Sequence, residues 1–179
     1  MSRIDTSRPF IPVDIAILTI SDTRDASNDT SGDLLVERLT KAGHRLAARA
    51  IIKDDKASIV AALRALIDDP HVDIVISTGG TGVTGRDVTP EAFASVYEKE
   101  IAGFGEMFRM LSYAKIGTSA LQSRATAGVA KGTYLFAVPG STSACRDAWD
   151  EILAFQLDSR HRPCNFIELL PRLREHEKK

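Results

Sequence analysis

The sequence predicts an α/β fold: three layers, with a mostly parallel, doubly wound sheet to which an antiparallel hairpin is appended. Three observations predict it. Short apolar runs alternate with segments of helical period in the order β-α-β-α-β over residues 13–78. The runs Val13 to Ile20 and Ile74 to Ile76 are almost continuously apolar, as expected of strands buried on both faces, and their crossovers are then right-handed. Two further short runs, Ala125 to Ala130 and Thr133 to Val138, meet at Lys131-Gly132 as a hairpin.

Residues 1–12 read as an N-terminal arm, polar and proline-containing, without the apolar core of a signal peptide. The strand Val13 to Ile20 empties into a polar loop from Ser21 to Gly32, in which Ser21 and Asp22, nearest the strand end, are candidate site residues. Thr30 or Ser31 is expected to cap the helix that follows to about Lys41, with Leu35, Leu39 and Ala42 at helical spacing and Gly43 ending it. The second strand lies within His44 to Ile52. Asp54-Asp55 follows it, and capping the next helix explains one of those carboxylates, not both. That helix has Ile59, Leu63, Leu66 and Ile67 on its apolar face and ends near Asp68-Asp69-Pro70.

The third strand runs into Thr78-Gly79-Gly80-Thr81-Gly82. The carboxyl end of a strand in an open α/β sheet is where ligands bind, and the glycines let backbone N–H groups approach an anion. Thr78 and Thr81 add hydroxyls and Asp87 a carboxylate; Thr89-Pro90-Glu91 then reads as a helix start with Thr89 as N-cap. Gly80 to Gly85 satisfies G-x-G-x-x-G, but the acidic residues about 20 positions on, Glu98 and Glu100, fall in a stretch that reads as helix. Gly80 to Asp87 also approximates a P-loop, with Arg86 for the lysine and Asp87 where the Mg²⁺-binding hydroxyl belongs, which argues against that loop. Arg86 could face phosphate or simply solvent.

Beyond the site, one helix is expected over Pro90 to Lys99 and a second over Gly103 to Ala114. The second carries Phe104, Met107, Phe108, Met110 and Leu111, more apolar bulk than one core-facing stripe uses, so part of it is expected to meet another subunit. A polar connection, Gly117 to Arg124, leads to the hairpin. Pro139-Gly140-Ser141-Thr142-Ser143 is a second strand-to-helix turn of the ligand-binding type, with its helix running to about Gln156 and Cys145, Trp149 and Ile152 on one face. The domain proper spans 13–166, and 167–179 reads as a charged tail that frays from Pro171.

A chain of 179 residues with 44% hydrophobic and 26% charged residues suits one globular domain, and a net charge of −1 gives no support for nucleic-acid binding. With only two cysteines, Cys145 and Cys164, and no C-x-x-C, a disulfide framework or structural zinc is not expected; both are read as free thiols in a reducing, cytoplasmic setting. No apolar stretch is long enough to span a bilayer.

Taken in order, Thr78-Gly-Gly-Thr-Gly82, Asp87-Val-Thr-Pro-Glu91, Gly103-Phe-Gly-Glu106 and Pro139-Gly-Ser141 resemble the molybdopterin-binding family of molybdenum-cofactor biosynthesis, which includes MogA, MoaB and the G domain of gephyrin. The resemblance covers about Val13 to Phe166. Phe10-Ile-Pro, Ile116-Gly-Thr-Ser, Leu121-Gln-Ser-Arg124 and Arg162-Pro-Cys-Asn165-Phe are similar to its MoaB branch. It implies a mostly parallel α/β fold, assembly into trimers or hexamers, and adenylyl transfer, in which the terminal phosphate of molybdopterin attacks the α-phosphorus of ATP and pyrophosphate leaves. It also implies two catalytic aspartates, Asp54 and Asp87, placed to orient Mg²⁺ or substrate. Gly79, Gly80 and Gly82 would supply N–H groups, and Ser112, Pro139, Gly140 and Ser141 would line the pterin or nucleotide. Joining two phosphate-bearing substrates gathers negative charge, so a divalent cation and fixed donors suit the chemistry. Two other classes stay open beside the enzyme: a non-catalytic molybdopterin carrier and, further off, a nicotinamide enzyme.

Overall fold

The aliphatic run Asp14–Ile20 (β1) is second in a six-stranded sheet whose order is β2-β1-β3-β6-β5-β4, in a computed structural model that describes residues 4–177. The other strands are Arg45–Ile52 (β2), Ile74–Thr78 (β3), Lys99–Glu100 (β4), Thr126–Ala130 (β5) and Thr133–Val138 (β6). β2, β1, β3 and β6 are all parallel, with Ile17 opposite Ile76 and Ile76 opposite Phe136. β5 runs antiparallel to β6, and β4 to β5. The mixed sheet matches the predicted fold class. In it the hairpin's second strand is the fourth parallel strand, buried along its whole length, and β5 with β4 forms the antiparallel margin. Lys131 and Gly132 both have positive φ, 45° and 84°, which matches the twist of a two-residue hairpin.

Alternate residues of each central strand point into two separate cores, which makes the three layers. Ile15, Ile17, Ile74, Ile76 and Phe136 pack with helices α1 (Thr30–Lys41), α4 (Ala102–Ile116) and α5 (Thr142–Ala148). Ala16, Leu18, Val75 and Leu135 pack with α2 (Lys56–Ile67) and α3 (Thr89–Ala94). α5 runs on through a π-helical turn, Trp149–Leu153, to Gln156, and a short helix α6 (Phe166–Leu169) follows. Ile167 is buried, and Leu170 and Leu173 pack against the same core. No helix among the described residues is long and apolar enough to cross a membrane.

Several sequence expectations are corrected. The cap of α1 is Asp29, whose carboxylate accepts from Gly32 N at 3.0 Å; Ser31 Oγ is turned away to donate to Gly140 O at 2.9 Å. The helix ends as expected at Gly43 (φ 92°), with His44 N donating back to Leu39 O. Thr89 is not a cap either. It lies inside α3, and its hydroxyl donates to Gly79 O at 2.9 Å. α3 stops at Ala94, well short of Lys99, because Tyr97 is drawn onto the open face of Gly128 and Glu98 N pairs with Val129 O, sending Lys99-Glu100 out as strand. Glu98 and Glu100 are therefore not helical. In α4, Phe104 and Phe108 belong to the chain's own core, against Phe136, while Met107, Met110, Tyr113 and Ile116 stay exposed.

Candidate functional site

Four parallel strands end on one edge of the sheet, and each carries a loop with a predicted site residue. From the adjacent strands β1 and β3 the chain leaves in opposite directions along the sheet, towards β2 and towards β6, and the carboxyl ends of such a pair are where a ligand crevice is expected. The glycine turn is built into that crevice. Gly79 and Gly80 have φ of 107° and 64°, and a Cβ at Gly79 would fall on the Ile20 carbonyl. A Cβ at Gly80 would fall on the Thr89 hydroxyl and lie 2.8 Å from Asp54 Oδ1. Thr89 closes the turn by donating N–H to Gly80 O and its hydroxyl to Gly79 O. Below it, Thr78 Oγ1 donates to Pro139 O at 3.0 Å and meets the buried Cys145 thiol at 3.1 Å, which ties the first turn to the second.

On one side of the turn stand Asp22, Asp54 and Asp87. Asp55 caps α2 by accepting from Ser58 N at 2.8 Å, so Asp54 is the carboxylate of the pair left over. Its Oδ1 is buried and has no hydrogen-bond partner. Burial first, and then the charges of Asp87 and Asp22, push Asp54 above the usual carboxylate range. Asp87 goes the other way. Burial would raise it, but the hydroxyl and N–H of Thr84, at 2.7 and 2.8 Å, with Gly82 N–H and the Arg124 charge, hold it low. Asp22 accepts from Asp54 N at 3.3 Å and pairs with the exposed Arg86 across the mouth. Ser21 is placed as a turn former: its Oγ accepts from Thr23 N and Arg24 N, both at 3.2 Å.

Beside the turn, and reached by Asp87 as well, lies a cavity of about 420 Å³. Of the predicted residues it is lined by Gly80, Thr81, Gly82, Asp87, Ser112, Pro139, Gly140 and Ser141, while Thr78 and Gly79 form the turn beneath. Hydroxyls and amides on an apolar floor of Phe108, Ile116 and Ala144 suit a flat polar heterocycle bearing phosphate. A larger cavity, about 850 Å³, opens between α3, α4 and β5. It lacks the glycine turn, and its four glutamates, Glu91, Glu98, Glu100 and Glu106, outnumber Arg109 and Arg124, which disfavours an anionic ligand, so the smaller cavity is the candidate site.

Comparisons with known proteins give the family. The family described as "Probable molybdopterin binding domain" matches residues 16–159. The chain belongs to that family. It is 52% identical over 166 residues to molybdenum cofactor biosynthesis protein B of Escherichia coli (strain K12), covering 93% of this chain and 96% of that one. The protein of the same name from Bacillus subtilis (strain 168) is 44% identical over 142 residues, 79% and 84% of the two chains. Among solved structures, a molybdenum cofactor biosynthesis protein B superposes with TM-score 0.82 at 46% identity, covering 84% of this chain and 94% of that one. The tungsten cofactor synthesizing protein MoaB of Pyrococcus furiosus gives 0.72 at 30% identity, covering 94% and 98%.

Within this molybdopterin-binding domain, the reading from sequence missed the residues that hold the loops. Arg24 Nη2 donates to Gly140 O at 3.0 Å, and Arg24 in turn lies 3.6 Å from the fully buried Asp29, which Arg49 and Thr19 also contact at 2.8 Å. Ser119, Gln122 and Ser123 line the cavity from the connection after α4. That stretch carried part of the family resemblance, a signal that could have placed it in the site. Among the described residues, no three His, Cys, Asp or Glu side chains stand close enough to hold a metal ion by themselves.

Proposed function

We propose that this chain binds molybdopterin in the 420 Å³ cavity and transfers AMP to its terminal phosphate from Mg²⁺-bound ATP. One observation carries the reading. Asp54 Oδ1 is buried without a partner, beside two more carboxylates, directly across the glycine turn from a donor-lined cavity. An arrangement that leaves negative charge unanswered is fitted to a cation that arrives with its substrate. Mg²⁺ keeps several waters and takes one or two carboxylates plus substrate phosphates, so Asp54 and Asp87 suffice without a dedicated cage. The ion would supply charge neutralisation at the α-phosphate.

The chain's own part is positioning. Gly80 and Gly82 line the cavity edge where the terminal phosphate of molybdopterin would sit, the Gly82 N–H being engaged by Asp87, and Ser112 and Ser141 line the cavity as well. One oxygen of that phosphate forms the new bond to the α-phosphorus of ATP, and the bond to the β-phosphate oxygen breaks, releasing pyrophosphate. The relatives' names, molybdenum and tungsten cofactor synthesis, support a pterin phosphate as acceptor. Two free thiols, one buried and one exposed, suit a reducing cytoplasm. The exposed Met107, Met110, Tyr113, Ile116 and Leu121 support assembly of trimers or hexamers through α4 and the turn after it.

The alternative, a non-catalytic carrier, needs only the donor-lined cavity and asks nothing of Asp54 or Asp87. Incubation with molybdopterin, ATP and Mg²⁺ separates the two. Pyrophosphate release with formation of adenylylated molybdopterin, abolished by EDTA, is the enzyme; tight molybdopterin binding with no pyrophosphate above the blank is the carrier.

A further inference from the structure

The loop from Gly82 to Asp87 is a unit held to itself. Thr84 N and Oγ1 donate to Asp87 Oδ2 at 2.8 and 2.7 Å, and Asp87 N donates back to Thr84 O at 3.1 Å. Those bonds fix the Asp87 carboxylate relative to Thr84, but not relative to the sheet. Thr89 anchors only the chain beyond the loop, to Gly79 and Gly80. The Arg86–Asp22 pair is solvent-exposed, and such pairs hold little.

Arg124 makes the remaining attachments. Its Nε donates to Gly82 O at 2.6 Å and its Nη2 to Asp87 O at 2.7 Å, so one guanidinium spans both ends of the loop. Nη1 pairs with the Glu91 carboxylate at the start of α3. The residue is itself anchored, because Arg124 N donates to Thr81 O at 3.0 Å and the next carbonyl, Ala125 O, accepts from Arg109 on α4. A planar fork with five fixed donors can bridge two carbonyls and a carboxylate at once; an ammonium cannot.

We propose that Arg124 is a positioning residue, one that sets the Gly82–Asp87 loop against the sheet and so aims Asp87 into the site without itself touching substrate. Its effect on turnover rests on the adenylyl-transfer reading above; its effect on the loop does not.

Arg124→Lys tests it, because lysine keeps the positive charge near Asp87 and removes the fork. Amide hydrogen exchange over residues 82–87 is expected to quicken by about tenfold or more, as local opening loses two charge-assisted hydrogen bonds. Turnover should fall by about 10²-fold, the usual scale for a catalytic group displaced by an ångström. Molybdopterin affinity should fall far less than turnover, since Gly80 and the Pro139–Ser141 wall keep their places and only the Gly82 end of the turn is loosened. Glu91→Gln is the second variant: it leaves Arg124 in place, turns the charge-assisted bond from Nη1 into one with a neutral acceptor, and should quicken the same amides by less. If Arg124→Lys exchanges and turns over like wild type, charge alone was needed and the proposal is overturned. Should Arg124→Lys not yield folded protein, unchanged exchange in Glu91→Gln overturns it as well. If wild type makes no adenylylated molybdopterin while the 82–87 amides quicken in the variants, the enzyme reading fails and the positioning role stands.

Discussion

Asp54→Asn should damage turnover and improve the fold, and the two effects have one cause. The carboxylate sits half-buried with Oδ1 unpartnered, and burial with the like charges of Asp87 and Asp22 outweighs the Val88 N–H and the Arg86 charge, which act the other way. Its pKa in the folded chain is raised above the ordinary 3.8, so the native state holds its proton more tightly than the unfolded chain does. The corresponding stability is therefore present at low pH and is lost as the pH rises through the native value, leaving the ionised form a burden at neutrality. Asparagine has nearly the same shape and no charge. Relieving one repelled, partly screened carboxylate is worth roughly 0.5 to 1 kcal/mol, or about 1 to 4 °C in Tm for a chain of this length. Turnover should fall by at least about 10²-fold, as when one preorganised electrostatic group is removed. Thermal melts of both proteins from pH 4 to pH 8, beside pyrophosphate assays, make the test. The gain in Tm should be largest near neutrality and shrink towards pH 4. An Asp54→Asn protein that melts below wild type at pH 7, or that adenylylates at the wild-type rate, would refute the reasoning.

Three further outcomes follow from the same geometry. Gly80→Ala must place a Cβ against Thr89 Oγ1 and Asp54 at φ 64°, so urea denaturation should show a loss of about 2 kcal/mol or more, with molybdopterin binding abolished. Asp29 is fully buried; burial would raise its pKa, but Arg49, Gly32 N–H and Thr19 outweigh it and hold it low. Asp29→Ala should cost roughly 3–5 kcal/mol, and wild type's advantage should be full above pH 3.8 and shrink as acid protonates Asp29. Met110→Glu places a charge on the exposed face of α4, and sedimentation velocity should show a smaller species than wild type with the fold intact; an unchanged sedimentation coefficient would place the subunit contact elsewhere.

What could be read from the sequence was what local chemistry decides. The apolar runs of β1 and β3 have no other home than a two-sided core, and Gly43 stops α1 as its position requires. The Asp54-Asp55 doublet could be divided into one cap and one surplus carboxylate because a helix start uses only one. The failures are tertiary. Thr30, Ser31 and Thr89 are good caps by type, yet Ser31 and Thr89 spend their hydroxyls on the carbonyls of Gly140 and Gly79, partners distant in sequence. Nothing local ends α3 at Ala94; the fit of Tyr97 over Gly128 does, and it creates β4. Arg124 looked like one more charge in a polar connection, since its meaning lies in carbonyls 37 and 42 residues away.

These placements share a logic. Around the crevice the loops satisfy one another: Arg24 and Ser31 hold Gly140, Thr78 holds Pro139, Thr89 holds Gly79 and Gly80, and Arg124 holds Gly82 and Asp87. Asp87 and Asp22 keep donors of their own, from Thr84 and Arg86, whereas these loop-holding side chains spend theirs on backbone carbonyls and leave Asp54 Oδ1 without one. Asp29, just outside the site, shows that the chain can bury a carboxylate with two arginines in reach when structure alone is at stake. Asp54 receives no such partner. The contrast between one aspartate neutralised so thoroughly and another raised by burial and two like charges is what supports the proposal that Asp54 meets a cation arriving with its substrate.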